Sequence, residues 1–255
     1  MDNRPPAVTQ QETIDALLKR SKRRFVPIRR SFLQQGKSAK RIPGPLAGLV
    51  RRGDERGLDQ YLLVHAAASA EPYDVTLAAS AWARALGLPD GRGAKSSASA
   101  VSKVLKRLED ARLIQRKRHR GRCQITLLDE GGTAAPYKHP KDKRESYFKL
   151  PYEYWEEGWA QRLKMPAKVA FLIALSLSDG FKLPVERGPD WYGVSPDTVQ
   201  RGLAALGEAG LINVAIAYQK MPLAPKGYTQ ARHFTLRAPF APGRKRSAKI
   251  ISLIA

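Results

Sequence analysis

The stretch GVSPDTVQRGLAALGEAGLI, residues 193–212, contains a complete set of local signals for one helix. Ser195 is a good N-cap, Pro196 fits the first helical position, where no amide hydrogen is needed, and Asp197 suits the positive end of the helix dipole. Gly210 is a common helix stop, and the segment after it, LINVAIAY, has the branched and aromatic content of a strand. We therefore predict a helix that begins at about residue 195 and is followed by a strand. The packing face of this helix is formed by residues that recur at helical spacing, namely Val199, Gly202, Leu203 and Leu206.

A similar phrase, SSASAVSKVLKRLEDARLI, occupies residues 96–114 and indicates an internal repeat. A shift of 98 residues places Ser97 on Ser195, Val101 on Val199, Lys103 on Arg201, Leu105 on Leu203 and Leu108 on Leu206. Two copies do not make a solenoid, for which at least three stacked units are normally needed. A chain of 255 residues is long enough for two domains of about 100 residues each. We therefore predict tandem globular domains.

The charge of the chain suggests a polyanionic partner. Lys and Arg number 45 against 23 Asp and Glu, which gives a net charge of +22 and a pI near 10.4. Such an excess favours nucleic acid over a membrane surface. More than half of it lies at the two ends, since residues 1–43 carry a net +8 and residues 241–255 a net +4. Because residues 19–41 hold ten basic residues and no acidic one, and prolines interrupt the segment, we predict a flexible basic arm that neutralises phosphates.

Composition along the chain predicts five parts. Each domain contains the repeated helix followed by two strand-like segments, and the connection between the domains is rich in Gly, Pro and charged residues, as exposed linkers are. The predicted parts are the basic arm at 1–43, a first domain at 44–130, a linker at 131–146, a second domain at 147–240 and a basic, apolar tail at 241–255.

The sequence offers no site for catalysis. The single cysteine, Cys123, excludes an internal disulfide and a multi-cysteine zinc site, and the four histidines have no metal-ligand spacing. A phosphate-binding Gly-rich loop with its Lys is missing as well. We therefore predict that the chain is not an enzyme and uses no cofactor or metal. Without an 18-residue apolar run or the apolar region of a signal peptide, we expect a cytoplasmic, nucleoid-associated protein with no membrane partner.

The predicted order of elements is helix, short strand, helix, turn, longer helix and a two-stranded hairpin. At residues 193–212 and 96–128 the sequence resembles the winged helix-turn-helix superfamily, and the resemblance covers most of residues 50–130 and 147–237. It implies a mainly α fold with small β-hairpins, of the α+β class, with two winged-helix domains in tandem. The first copy departs from the pattern with a longer segment, GLPDGRGAKSS, between its helices. The layout of two such domains is also similar to that of plasmid replication initiators.

In this superfamily the third helix enters the major groove and the hairpin, or wing, contacts the DNA backbone or the minor groove. Polar and basic side chains on the outer face of such a helix can reach base edges. In the first domain the resemblance implies contacts from Ser97, Ser99, Ser102, Lys103, Lys106 and Arg107 on the helix and from Arg116, Lys117, Arg118, His119, Arg120 and Arg122 on the wing. In the second domain it implies Ser195, Thr198, Gln200 and Arg201 on the helix, and Lys220 and Lys226 on the wing.

We therefore expect a sequence-specific protein that binds double-stranded DNA and regulates transcription. Two alternatives stay open: a plasmid or phage replication initiator that binds origin repeats, and a nucleoid or DNA-segregation protein in which the basic arm dominates. A protein-interaction module with incidental charge is the remaining possibility. Because the second domain carries less charge, its alternative roles are homodimerisation and the docking of replication or transcription proteins.

Overall fold

The computed structural model describes residues 6–36, 40–88, 94–119, 122–140, 146–223 and 225–241. The described residues are 44% helix and 23% strand, and their strand pairs are all antiparallel. The predicted α+β class with small sheets is confirmed.

The N-terminal segment folds onto the rest of the chain. Its helix α1 starts with a capping box, in which the Thr9 hydroxyl accepts from the Glu12 amide and the Glu12 carboxylate accepts from the Thr9 amide at 2.7 Å. Strand β1 lies antiparallel to β7, with Val26 opposite Leu150. The elements of this segment are α1 (Gln10–Leu18), β1 (Phe25–Arg29), β2 (Gln34–Gln35) and β3 (Ile42–Pro43), and β7 is Tyr147–Pro151.

The prediction of a flexible basic arm at residues 1–43 is therefore wrong for the described part of that range. The reason is that apolar residues lie between its cations and are buried: Ile14, Leu17, Leu18, Val26, Ile28, Phe32 and Leu33. Several of the cations are also used within the protein. Arg29 donates to the buried Glu130 at 2.7 Å, Arg24 pairs with Glu156 at 2.5 Å, and Arg41 lies over the Trp191 ring at 4.5 Å. Residues 6–36 and 40–43 thus belong to the folded body of the protein and are not a detachable arm.

The first helix–hairpin unit, residues 55–127, follows the short helix α2 (Leu46–Arg51). Its last strand lies between the other two, in the order β4-β6-β5. The buried His65 packs edge-on against Tyr61, with ring centroids 4.7 Å apart, so this histidine is part of the core. The elements of the unit are α3 (Glu55–Ala67), β4 (Asp74–Leu77), α4 (Ala79–Ala85), α5 (Ala94–Asp110), β5 (Ile114–His119) and β6 (Arg122–Leu127).

The repeated helix of this unit starts earlier than the sequence predicts. Helix α5 begins at Ala94, so Ser97 lies inside the helix and is buried, whereas Ser195 caps its helix. The 98-residue shift aligns the packing faces of the two helices but not their starts. The prediction of Ser97 as a surface residue that contacts DNA is therefore wrong.

The connection after β6 is held against the first unit. Leu128 pairs with Pro136 in a β-bridge, and the buried ring of Tyr137 contacts His65 and Tyr73 at 5.3 and 4.9 Å. The prediction of an exposed linker at 131–146 is therefore wrong for Tyr137, because its ring anchors this stretch to the core. Residues 141–145 lie outside the described residues.

The second helix–hairpin unit, residues 165–236, contains the helix predicted first. The Ser195 hydroxyl accepts from the Thr198 amide at 3.2 Å and Pro196 opens the helix, which confirms the predicted start. The short strand predicted between the first two helices of the domain is reduced to one bridge, from Phe181 to Phe234. After the short helices α6 (Glu153–Glu156) and α7 (Trp159–Arg162), the elements of the unit are α8 (Met165–Ser176), α9 (Gly188–Tyr192), α10 (Pro196–Glu208), β8 (Ile212–Lys220) and β9 (Tyr228–Leu236).

Helices α8 and α10 approach each other at Gly202. A Cβ atom at this position would lie 2.3 Å from the carbonyl oxygen of Pro166. Only glycine fits so close a contact between two helices. The last packed residue of the described chain is Phe240, whose ring lies 4.8 Å from Phe171 of α8, and the predicted tail lies outside the described residues from position 242.

The two units share one core and are joined by an ion cluster around the buried Lys168. The buried apolar side chains of both units form a continuous cluster. At the junction the Lys168 side chain of α8 is only 1% exposed, and its Nζ lies 2.7 Å from Asp59 and 3.1 Å from Glu55 of α3. Glu55 also accepts from the Met165 amide at 2.9 Å, at the start of α8. Within the part of the chain described, no helix is long and apolar enough to cross a bilayer.

We expect Lys168→Ala to lower the free energy of unfolding by about 1–3 kcal/mol, because it leaves two partly buried carboxylates without their counter-charge. The matched control is Lys164→Ala, which removes an exposed lysine four residues earlier and should change stability by less than about 0.5 kcal/mol. Denaturant unfolding measures both variants. Equal losses for the two would show that the cluster does not hold the units together.

Candidate nucleic-acid interface

Helix α5 has two opposite faces. Val101, Val104, Leu105 and Leu108 are buried, at the spacing of one helix face. Two positions earlier, roughly 200° around the helix, the same spacing gives the exposed residues Ser99, Ser102, Lys103 and Lys106. The structure thus brings these four predicted residues together on one surface. With Arg107 and Arg116 they line a shallow depression of about 460 Å³.

Arg107 is engaged within the first unit. Its guanidinium donates two hydrogen bonds to Asp54, at 2.7 Å from Nε and 2.6 Å from Nη2. Asp54 is also the N-cap of α3, where it accepts from the Gly57 amide at 3.0 Å. Burial raises the pKa of Asp54, but the hydrogen bonds and charge of Arg107 outweigh it and hold the pKa below its ordinary value. Since its charge is already compensated, Arg107 ties α5 to α3, and its predicted phosphate contact is weakened.

Arg116 is engaged in the same way, between the hairpin and α5. Its Nη2 and Nε lie 2.8 and 3.0 Å from Glu109 Oε2, and its Nη1 donates to the Ser102 carbonyl at 3.3 Å. Burial opposes ionisation of Glu109, yet the bonds from Arg116 lower its pKa. The pair fixes the hairpin relative to the helix. Arg116 therefore has a structural role in positioning this surface.

The other described cations of the hairpin, Lys117, Arg118 and Arg122, are exposed, and so is His119. Arg118 lies opposite Cys123, on the same face as Arg116, and Lys117 lies opposite Gln124 on the other face. The sequence has no acidic residue from Leu113 to Leu128. Both faces of the hairpin end are therefore basic. Arg120, also predicted as a contact, lies outside the described residues.

The two lysines of α5 differ in their surroundings. Lys106 pairs with Asp110 one turn later, on the surface of the helix. Among the residues that the structure describes, Lys103 has no carboxylate partner. Lys103 thus presents the less compensated charge on this helix face.

The corresponding face of α10 is close to neutral. The 98-residue shift puts Asp197, Gln200, Arg201 and Ala204 where α5 has Ser99, Ser102, Lys103 and Lys106. Arg201 pairs with Asp197 at 2.8 Å, and the Thr198 hydroxyl lies 2.9 Å from that of Ser195 at the helix start. The predicted residues are therefore near one another. Most of their charged and hydrogen-bonding groups, however, are paired with neighbours at the start of the same helix. Lys220 and Lys226 are exposed at the far end of the β8–β9 hairpin.

An apolar groove of about 730 Å³ lies beside this face of α10. It is bounded by α10, by residues 182–186 and by the β8–β9 hairpin, and Leu203, Val214 and Ile216 are among its lining residues. The first unit has a polar, basic surface at the equivalent place. The sequence indicates this difference between the two units, because the stretch from Leu211 to Gln219 contains no charged residue.

The carboxylates that organise the basic surface, Asp54 and Glu109, were missed by reasoning from the sequence. Asp54 precedes Arg107 by 53 residues, a separation at which no periodicity connects two positions. Among the described residues, no group of three or more His, Cys, Asp or Glu side chains is placed to hold a metal ion. Family models, curated proteins and solved structures give no match to this chain.

We expect Asp54→Ala to lower the free energy of unfolding by about 1–3 kcal/mol, because it removes an N-cap and leaves Arg107 without its partner. The matched control is Asp110→Ala, which breaks only the exposed pair with Lys106 and should cost about 0.5 kcal/mol or less. Because folding lowers the pKa of Asp54, its contribution is present above the ordinary value of 3.8 and is lost as the pH falls further. Unfolding curves at neutral and acid pH measure this, and equal losses at both pH values would contradict the assignment.

Proposed function

We propose that the chain binds double-stranded DNA through α5 and the β5–β6 hairpin. The observation that carries the proposal is the exposed face of Ser99, Ser102, Lys103 and Lys106, which adjoins a hairpin with cations on both faces and no acidic residue. An excess of uncompensated cations on one side of a protein is the electrostatic footprint expected for a phosphate backbone.

We further infer that both units are winged helices. In each, a helix is followed by a short strand or bridge, two more helices and a hairpin, and the first strand pairs with the last. In the first unit β4 pairs with β6, and in the second Phe181 pairs with Phe234 of β9. This order of elements and this pairing support the resemblance noted in the sequence.

The geometry suits binding in the major groove. Helix α5 has 17 residues, a length of about 25 Å, and a helix fits a major groove that is about 12 Å wide. Lys103 and Lys106 can donate to the O6 and N7 acceptors of guanine, and the serine hydroxyls can donate or accept. Lys117, Arg118 and Arg122 would then lie where phosphates flank the groove. Arg107 and Arg116 hold the helix and the hairpin in place for this contact.

The biological role that this arrangement supports best is sequence-specific regulation of transcription. Phosphate contacts alone would give binding without sequence preference, whereas α5 presents four polar or basic side chains on one face for base contacts. The second unit, whose equivalent surface is apolar, is then available for protein contacts.

We expect Lys103→Ala to weaken binding to a duplex selected from random sequences by about 1–3 kcal/mol, and binding to unrelated DNA much less, because Lys103 reads a base. Arg118→Ala should weaken binding to both duplexes and reduce the dependence of log K on log salt by about one unit, as loss of a phosphate contact does. Titrations by fluorescence anisotropy at several salt concentrations measure these effects.

The matched control is Arg201→Ala, at the position in α10 that corresponds to Lys103. It should leave the affinity for both duplexes unchanged. A loss on the selected duplex from Arg201→Ala as large as that from Lys103→Ala would contradict the assignment of DNA binding to the first unit. A selection that enriches no sequence would contradict sequence-specific binding.

A further inference from the structure

The outer edge of β8 is open. The β8–β9 hairpin has nine residues in each strand, and among the described residues no strand pairs with the far side of β8. The hairpin is held by its packing against α10 and by the bridge from Phe181 to Phe234 of β9, but neither of these pairs with the outer edge of β8. This edge is therefore a place where another strand would add stability.

The hydrogen bonds of the hairpin show which groups face the open edge. The Met221 amide donates to the Gly227 carbonyl at 2.9 Å and the Arg237 amide to the Leu211 carbonyl at 2.8 Å. Because bonded and non-bonded pairs alternate in an antiparallel ladder, the odd-numbered residues of β8 turn their N–H and C=O groups to β9. The even-numbered residues, from Ile212 to Lys220, turn theirs to the open edge.

The open edges of the two units differ in chemistry. In the first unit the edge strand that corresponds to β8 is β5, which carries Arg116, Lys117 and Arg118, and charges of this kind prevent pairing between edges. In the second unit β8 has no charged residue before Lys220, and its side chains on the groove face are large and exposed. Val214 is 50%, Ile216 52% and Tyr218 67% exposed. An uncharged, apolar edge of this length is a typical pairing site.

We propose that β8 pairs with β8 of a second copy of this chain, antiparallel and about a two-fold axis at Ile216, to form a four-stranded sheet. In this register Ile216 lies opposite Ile216 of the other copy, and Val214 lies opposite Tyr218 of the other copy. The edge-facing N–H and C=O groups of these residues are then in position to form hydrogen bonds between the two copies. Opposed residues in an antiparallel pair share a face, so Tyr218 of each copy lies beside Val214 of the other, at the mouth of the apolar groove.

The self-complementary side chains of β8, with Ile216 opposite itself and Val214 opposite Tyr218, favour a second copy as the occupant. Two chains of net charge +22 repel each other over most of their surfaces, and β8 offers them a contact without like charges. In this register Lys220 lies opposite Ile212 of the other copy, and the two copies of Lys220 are far apart. The nearest cation, Arg232, lies one strand behind Ile216, so the two copies of it are separated by three strand spacings, about 15 Å. Before Lys220 the edge of β8 itself carries no cation that would select an acidic peptide, and the groove beside it has Glu186 as well as Lys182 and Arg232. An uncharged apolar strand, such as a second β8, complements this edge.

The proposal concerns the second unit and does not depend on DNA binding. It is tested by sedimentation equilibrium of the full chain without DNA over a range of micromolar concentrations. We expect a dimer, with twice the monomer mass of 28.3 kDa. A monomer at every concentration would overturn the proposal and leave the groove to a different protein, with the proposed DNA binding of the first unit unaffected.

Variants at the edge make the test specific. Ile216→Lys places two like charges next to each other at the axis and should raise the dissociation constant of the dimer by about 100-fold or more. Ile216→Pro removes one edge-facing N–H without breaking a bond to β9 and should also weaken the dimer. The matched control is Leu223→Lys, which adds the same charge at a fully solvent-facing residue of the hairpin turn and should leave the dimer intact. Equal effects of Ile216→Lys and Leu223→Lys would overturn the proposal.

A cysteine scan identifies the register. In a Cys123→Ser background, single cysteines at positions 214 to 218 are treated with a short thiol crosslinker. We expect the yield of crosslinked dimer to peak at position 216 and to fall on both sides, because only the residue on the axis meets its own copy. A uniform yield, or none at any position, would contradict antiparallel pairing of β8.

Discussion

The arrangement of the two helix–hairpin units depends on the enclosed ammonium group of Lys168. It lies between α8 and α3, within 2.7 Å of Asp59 and 3.1 Å of Glu55, and it is almost completely removed from water. Buried charges cost desolvation energy, so such a cluster contributes less to overall stability than to the choice of one docking geometry. Only one placement of α8 on α3 gives Lys168 both carboxylates and gives Glu55 the Met165 amide as well. Gly193 supports the same placement, because a Cβ atom there would lie 2.6 Å from Ala47.

In this arrangement the two copies of the repeat have similar buried faces and different exposed faces. The inner positions of α5 and α10 carry small or apolar residues at the same spacing, since each must fill a close-packed core. The outer positions have no such constraint, and there α5 carries two serines and two lysines where α10 carries Asp197, Gln200, Arg201 and Ala204. The hairpins differ in the same sense, with cations along β5 and apolar side chains along β8. One architecture thus presents a basic surface in the first unit and an apolar one in the second, which is the physical basis for assigning DNA to one and protein to the other.

The sequence predicted those features that depend on neighbouring residues. Ser195 and Pro196 define the start of α10, and two apolar, strand-like ends around a basic centre that contains Gly121 predicted the β5–β6 hairpin. It did not predict features that depend on distant residues. The cations of residues 19–41 suggested a free arm, but β1 pairs with β7 more than 100 residues later and buries Val26 and Ile28. In the candidate site, the exposed residues of α5 were predicted correctly as a surface, whereas the pairing of Arg107 with Asp54 and of Arg116 with Glu109 required the folded chain.

The central claim is that the first unit faces DNA and the second does not. Amide hydrogen exchange of the full chain, with and without a selected duplex, tests it most directly, because it reports protection separately for each element. The account predicts slower exchange in α5 and in β5–β6 when DNA is bound, and unchanged exchange in α10 and in β8–β9. Protection of α10 and β8–β9 equal to that of α5, or protection there alone, would contradict it.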